Sequence, residues 1–198
     1  MKTTITTLII VACFNALSAF TVKYATPQGW GNSIAFQKST IIYNKKHRVI
    51  SGVLVYDTKL WPPNYLIQNK GYWFKMWEKV TFDKNGHVIQ GTIRYAPSFK
   101  LPGTGKVVQF RQGTEIRFDS KGCVTYGSPI AAQKLIPTHW NGVSIWFKQY
   151  FPITFDKDGK VISGTLLYPY TFLNTRGQKV RVYGGRFVSF DLKTGRLK

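Results

Sequence analysis

Five aromatic residues, Tyr43, Phe82, Phe118, Phe155 and Phe190, stand 35 to 39 residues apart, and each sits inside a copy of one short motif. The clearest copies run from Val80 to Ile93 and from Ile153 to Leu166, with the pattern Phe-Asp-x-x-Gly-x-Val-x-x-Gly-Thr-Leu/Ile. A looser copy runs from Ile116 to Gly127, a degenerate one from Ile41 to Leu54, and a truncated one ends the chain from Val188, with Gly195 close behind Asp191. A repeat of this length constrains the fold more than any bulk property, because each unit must bury its apolar face against the next.

The motif reads as a hairpin. Residues before the aromatic alternate, as in Val80 and Phe82, Ile116 and Phe118, Ile153 and Phe155, which marks half-buried strands. In Asp-x-x-Gly the Asp side chain accepts from backbone N–H groups further along the turn, and the Gly supplies a positive φ. The exit strand carries an interior glycine, Gly52, Gly91, Gly127 or Gly164. Glycine weakens a strand, so its recurrence predicts that an aromatic ring packs on bare backbone there, with a neighbouring unit as the expected donor.

A third strand precedes each hairpin, ending eight residues before the anchor in Phe74, Phe110 and Phe147, each followed by Lys75, Arg111 or Lys148. Between units lie connectors with Leu60, Leu101 and Leu135 close to a proline. No helical period follows the first twenty residues. The expected fold is all-β: an antiparallel meander of about five tandem three-stranded hairpin repeats. An elongated twisted sheet is favoured over a closed barrel or sandwich, since the repeat holds no device for closure.

The pattern resembles functionally uncharacterised exported bacterial proteins with MORN-like β-hairpin repeats, which implies an extended hairpin array. Around Tyr72, Trp73, Phe74, Phe82 and Asp83 it is also similar to cell-wall-binding aromatic repeats, which implies glycan or choline recognition through exposed rings. That second family has a shorter period and a tryptophan where this chain has Thr92 or Thr165, so no binding residue is carried over from it.

Residues 1–19 read as a signal peptide, with Lys2, an apolar run from Leu8 to Ala12, and small residues at Ala16, Ser18 and Ala19. Cleavage near Ala19 is favoured, although Leu17 fits that site poorly. Residues Ile10 to Cys13 offer the alternative of lipid anchoring through Cys13. Cleavage near Ala19 makes 20–198 a single β-repeat domain in a periplasmic or secreted protein, with lipid anchoring through Cys13 as the alternative. Cys123 is the one free cysteine of the mature chain by either route, so sheet packing rather than an internal disulfide must stabilise it.

Lys and Arg total 28 against eight acidic residues, a net charge of +20. This exceeds what solubility requires and attracts polyanions. For an exported chain the expected partners are an anionic envelope polymer, a glycan or lipid head groups, with a protein partner as the alternative; nucleic acid is not the expected partner in vivo.

The chemistry of catalysis is not legible. His47 and His87 fall in hairpin turns, and Cys123 takes the repeat position of His87 and Lys160. His139 lies beside Trp140 in a connector, where a ligand role is conceivable but unsupported by spacing. The carboxylates Asp83, Asp119, Asp156 and Asp191 share one repeat position and read as turn caps. No phosphate loop, zinc spacing or complete calcium loop is present, so no metal or cofactor is expected and the chain reads as a non-enzyme. What remains is surface: cations interleaved with aromatics. The candidate binding residues are Trp73, Lys75, Lys79, Arg111, Arg117, Trp146, Lys148, Arg181 and Arg186.

Overall fold

The computed structural model describes residues 21–27, 33–63, 71–140 and 142–198. The proposed signal peptide and Cys13 lie outside these residues. The first unit contains β1 (Val22–Ala25), β2 (Ile34–Gln37), β3 (Ile42–Tyr43) and β4 (Val49–Val53). The second contains β5 (Thr58–Leu60), β6 (Tyr72–Phe74), β7 (Lys79–Phe82) and β8 (Val88–Thr92). The third contains β9 (Ser98–Lys100), β10 (Val107–Gln109), β11 (Glu115–Phe118) and β12 (Val124–Gly127). The fourth contains β13 (Gln133–Leu135), β14 (Ile145–Phe147), β15 (Ile153–Phe155) and β16 (Val161–Thr165). The last contains β17 (Tyr170–Leu173), β18 (Lys179–Val182) and β19 (Phe187–Ser189).

The repeat hairpins join into one open antiparallel sheet of nine strands in the order β19-β16-β15-β12-β11-β8-β7-β4-β3. It is a meander without closure, as the repeat predicts. A complete unit holds one strand more than the motif announces. The connectors with Leu60, Leu101 and Leu135 contribute the short strands β5, β9 and β13, and these pair with β6, β10 and β14 as separate two-stranded hairpins. Three residues with a single inward side chain carry too little periodicity to read as a strand.

The Asp turns form as the motif dictates. Asp83 Oδ1 accepts the N–H groups of Asn85 and His87, Asp119 those of Lys121 and Cys123, and Asp156 those of Asp158 and Lys160. Asn44 and Asn174 make the same pair of bonds without a carboxylate. The two strands of each of the first four hairpins slip register by one residue next to the anchor aromatic, which is the bulge that accompanies such turns.

The core is one cluster between sheet and hairpins. Phe36, Phe74, Phe110 and Phe147 are all fully buried. Each ring covers an exit-strand glycine so closely that a Cβ added at Gly52, Gly91, Gly127 or Gly164 would fall 2.5–2.8 Å from the ring. This corrects the expected donor: each ring comes from the third strand of the glycine's own unit, because the exit strand's tail bridges back to that strand, as in Phe74 opposite Ile93 and Phe147 opposite Leu166. Contact between units is made beyond it. Phe36 meets Phe82 edge-on at 6.2 Å, and Phe110 meets Phe155 at 6.3 Å.

The other face of the large sheet carries a register-matched row: Ser51, Thr81, Gln90, Arg117, Tyr126, Thr154, Ser163 and Ser189. Antiparallel succession leaves two rims. The Asp turns line one. The other gathers the ends of the exit strands and the turns that lead from β6, β10, β14 and β18 into the large sheet.

Candidate functional site

Four equivalent turns build the second rim: residues 75–78, 111–114, 148–151 and 183–186. In the first three, the residue after the buried phenylalanine donates its N–H to the exit strand of its own unit: Lys75 to Thr92 O, Arg111 to Ser128 O and Lys148 to Thr165 O, each at 2.8 Å. Two residues on, in all four, the chain donates to the unit before. Trp77 bonds Leu54 O, Gly113 bonds Ile93 O, Tyr150 bonds Pro129 O and Gly185 bonds Leu166 O, at 2.7–2.9 Å. Each turn therefore pins two units together.

This bridging geometry needs a left-handed residue. Gly113 and Gly185 supply it at φ 71° and 79°, while Trp77 and Tyr150 adopt it at φ 62° and 67°. A bulky side chain in that region costs about 1–2 kcal/mol relative to ordinary backbone. Both side chains are about half exposed, Trp77 at 51% and Tyr150 at 52%. Exposed rings crowd the same rim: Tyr56, Tyr95 and Tyr168 stand four residues after Gly52, Gly91 and Gly164, and Phe151 and Tyr183 sit in the turns themselves, with the exposed Met76 side chain beside them.

Cations lie on these rings. The Arg111 guanidinium is 4.7 Å from the Tyr150 ring centre, across the boundary between two units, and Lys148 Nζ is 5.0 Å from that of Phe151. Arg94 approaches Tyr95 at 5.7 Å and Arg181 approaches Tyr183 at 6.0 Å. Exposed pairs of this kind contribute about 0.5–1 kcal/mol each, enough to orient a side chain without neutralising it. The rim's two carboxylates are both engaged. Asp57 accepts from Arg94 Nε at 2.7 Å and from the Met76 N–H at 2.8 Å, and Glu78 lies 4.0 Å from Lys75 Nζ. The Met76 N–H holds the Asp57 carboxyl below its ordinary range; burial opposes it, and the Arg94 side chain adds to the lowering. Arg111, Lys148 and Arg186 have no carboxylate within ion-pair distance among the described residues.

The nine residues picked out from the sequence divide among three surfaces. Lys75, Arg111, Lys148 and Arg186 come together on the rim. Trp73, Trp146 and Arg181 lie on the outward side of the small hairpins, opposite Lys59, Lys134 and Thr171. Lys79 and Arg117 belong to the large sheet. There Glu115 Oε1 accepts from Arg117 Nε at 2.5 Å, and the guanidinium covers Tyr126 at 4.7 Å, so its charge is already matched. Arg94, Tyr95 and Tyr168 belong to the interleaved cations and aromatics of the sequence but not to its candidate site, and Tyr56 was missed altogether. Superposing the turn sequences would have found the left-handed position, because glycine and a large aromatic alternate there.

The remaining singled-out residues have structural uses. His139 Nε2 meets Leu192 O at 2.5 Å and Trp140 Nε1 donates to Gly195 O at 3.0 Å, so this connector clips the terminal turn. Burial, with the Asp119 charge added, pushes the Cys123 thiol up, which disfavours the thiolate. Among the described residues no group of three or more His, Cys, Asp or Glu side chains could hold a metal. No protein-family model, curated protein or solved structure matches this chain.

Proposed function

We propose that this is an exported, non-catalytic binding protein whose aromatic and cationic rim docks on an anionic polymer of the cell envelope. The observation that carries the reading is Arg111, which lies on the Tyr150 ring with no carboxylate partner among the described residues. A cation held on a ring instead of an acid keeps its charge available to a ligand. The use of seven of the eight acids supports the non-catalytic part: Asp83, Asp119, Asp156 and Asp191 hold turns, and Asp57, Glu78 and Glu115 face cations. Export rests on residues 1–19 alone.

Binding of the purified chain to a polyuronate, to polyphosphate and to vesicles of anionic lipid, at low and at high salt, tests this reading. At least one of these polyanions should bind at low salt and weaken by about tenfold or more between roughly 50 and 300 mM salt, because exposed charge pairs are screened. Failure of all three to bind at low salt contradicts it. A second reading, an immunity- or adaptor-type protein-interaction module, is favoured by the two sheet edges, where Ile42 on β3 and Phe187 on β19 are exposed. It expects a stoichiometric protein partner whose affinity changes little with salt.

A further inference from the structure

The units are of two kinds, and the kinds alternate. Residues 72–99 match residues 145–172 at 14 of 28 positions, with a constant offset of 73 and no gap. They match the intervening stretch, residues 108–135, at only 7 of 28. Most of the 14 identities belong to the hairpin motif or to the core. Trp73 and Tyr95, which recur as Trp146 and Tyr168, belong to neither.

Three side chains change together between the two kinds. Trp73 and Trp146 face outward on β6 and β14, each across from a lysine, Lys59 or Lys134. The tail of the exit strand adds a tyrosine beside each. The Arg94 N–H donates to Trp73 O at 2.8 Å and the Leu167 N–H to Trp146 O at 2.9 Å, with Tyr95 and Tyr168 next in the chain. The third unit keeps this backbone: the Ile130 N–H donates to Gln109 O at 2.9 Å, and Gln109 lies across from Ser98. Yet it carries Gln109, Ser98 and Ala131 where its neighbours carry tryptophan, lysine and tyrosine. The strand pairing therefore needs none of the three, and a ligand that touches all of them explains why they occur as a set. Trp73, Tyr95 and Pro97 line one cleft of about 130 Å³, with Trp73 44% and Tyr95 59% exposed. Among the described residues no carboxylate lies within ion-pair distance of Lys59 or Lys134. Lys106 Nζ, donating to Lys134 O at 2.7 Å, brings a further cation from the unit between.

Two ring faces beside an ammonium suit a sugar that bears an acid. Its C–H groups, slightly positive, meet the negative faces of the rings, and its carboxylate pairs with lysine. A phosphate chain has no such face. Strips that bind single-stranded nucleic acid place rings under successive bases. Here the ring pairs recur only every second unit, four strands apart in the large sheet, or roughly 19 Å at about 4.8 Å per strand. The unit between offers the amide of Gln109 and the hydroxyl of Ser98, partners for sugar hydroxyls. We propose that the protein is bivalent: Trp73, Tyr95 and Lys59 form one station, Trp146, Tyr168 and Lys134 a second, and one strand of an acidic polysaccharide bridges both. This rests on the reading of the chain as an anionic-polymer binder and names the polymer. Once one station is filled, the other meets its sugar at an effective concentration in the millimolar range, so a chain binds more tightly than a fragment.

The full chain is titrated calorimetrically with oligogalacturonates too short, and long enough, to bridge the two stations. Short oligomers should bind two per protein. Long ones should bind one per protein, about tenfold or more tightly. Trp73→Gln and Trp146→Gln install the residue that the third unit accepts, so each should melt within about 3 °C of the parent. Each variant should take one short oligomer and lose the advantage of the long one. The parent reports independently of any variant's folding: its Trp73 and Trp146 indole N–H signals should shift on binding, and that of Trp140, which donates to Gly195 O at the last Asp turn, should not. The inference is overturned if either variant binds long oligomers within twofold of the parent, if length brings no gain, or if both indole signals stay fixed while oligogalacturonate binds. Binding of polyphosphate, single-stranded DNA or anionic vesicles but not of oligogalacturonates overturns it and leaves the broader polyanion reading in place. Absence of binding to every polyanion removes both.

Discussion

His47, at φ 55°, fills the turn position that Gly86, Gly122 and Gly159 fill in the next three units. The Asn44 side chain closes this turn in the same way as the aspartates do, so the only discrepancy is the side chain at the left-handed residue. His47→Gly should raise stability by about 1 kcal/mol, or about 2–4 °C in Tm, measured by thermal melting. Asp57 is the residue through which acid should act on the rim. Its carboxyl is held low by the Met76 N–H and by Arg94. A depressed carboxyl stabilises the fold above its unfolded value, roughly pH 4, and that contribution disappears as pH falls through the folded value. The melting temperatures of the parent and of Asp57→Asn should therefore differ at pH 6 and converge towards pH 3. A constant difference across that range would mean that Asp57 acts by shape alone.

At the scale of the element, the unit is a buried ring clamped on a bare strand. Phe110 meets Gly127 in its own unit and Phe155 in the next, so one side chain joins both levels of packing. Gly127→Ala should cost about 1–3 kcal/mol, because the added Cβ would lie 2.5 Å from the Phe110 ring. Phe110→Ala should cost about 3–5 kcal/mol, and pairing it with Gly127→Ala should cost less than the sum, since the cavity then admits the methyl group. Denaturant melts of the two single variants and the double variant measure this. Much of this level was legible in the sequence. The Phe-Asp-x-x-Gly hairpin, its bulge and the glycine needing a ring all follow from turn chemistry and alternation. The ring's origin was not legible, because it depends on the exit strand's tail leaving the large sheet to bridge Phe74 or Phe147, and no local preference encodes that turn. The strands at Leu60 and Leu135 were hidden for a related reason: each pairs with a partner ten or more residues along the chain, and neither carries alternation of its own.

For the whole molecule, repetition turns single side chains into rows. A net charge of +20 is only a total; the fold sorts it. The open face of the large sheet is mostly hydroxyl and amide with its Arg117 matched by Glu115, while the rim leaves Arg111, Lys148 and Arg186 without carboxylates among the described residues. The composition is the ground for proposing a polyanion partner, but a total charge does not say which surface would meet it. The site is assembled from the tail of one unit and the turn of the next, so a motif read within a single repeat divides it. Lys75, Arg111 and Lys148 were visible because they share a motif position. Tyr95 and Tyr168 were visible only as aromatics interleaved with cations, and Tyr56 not at all; that the three share one rim emerged when the strands were placed side by side.

Chemical-shift mapping of backbone amides, with the protein titrated by a polyuronate at low salt, tests the placement of the site most directly. Shifts should concentrate in the turns at 75–78, 111–114 and 148–151 and beside Tyr95 and Tyr168, and the Asp turns at 83–87, 119–123 and 156–160 should stay silent. Shifts centred on the Asp turns, or spread evenly over every lysine and arginine, would contradict the account.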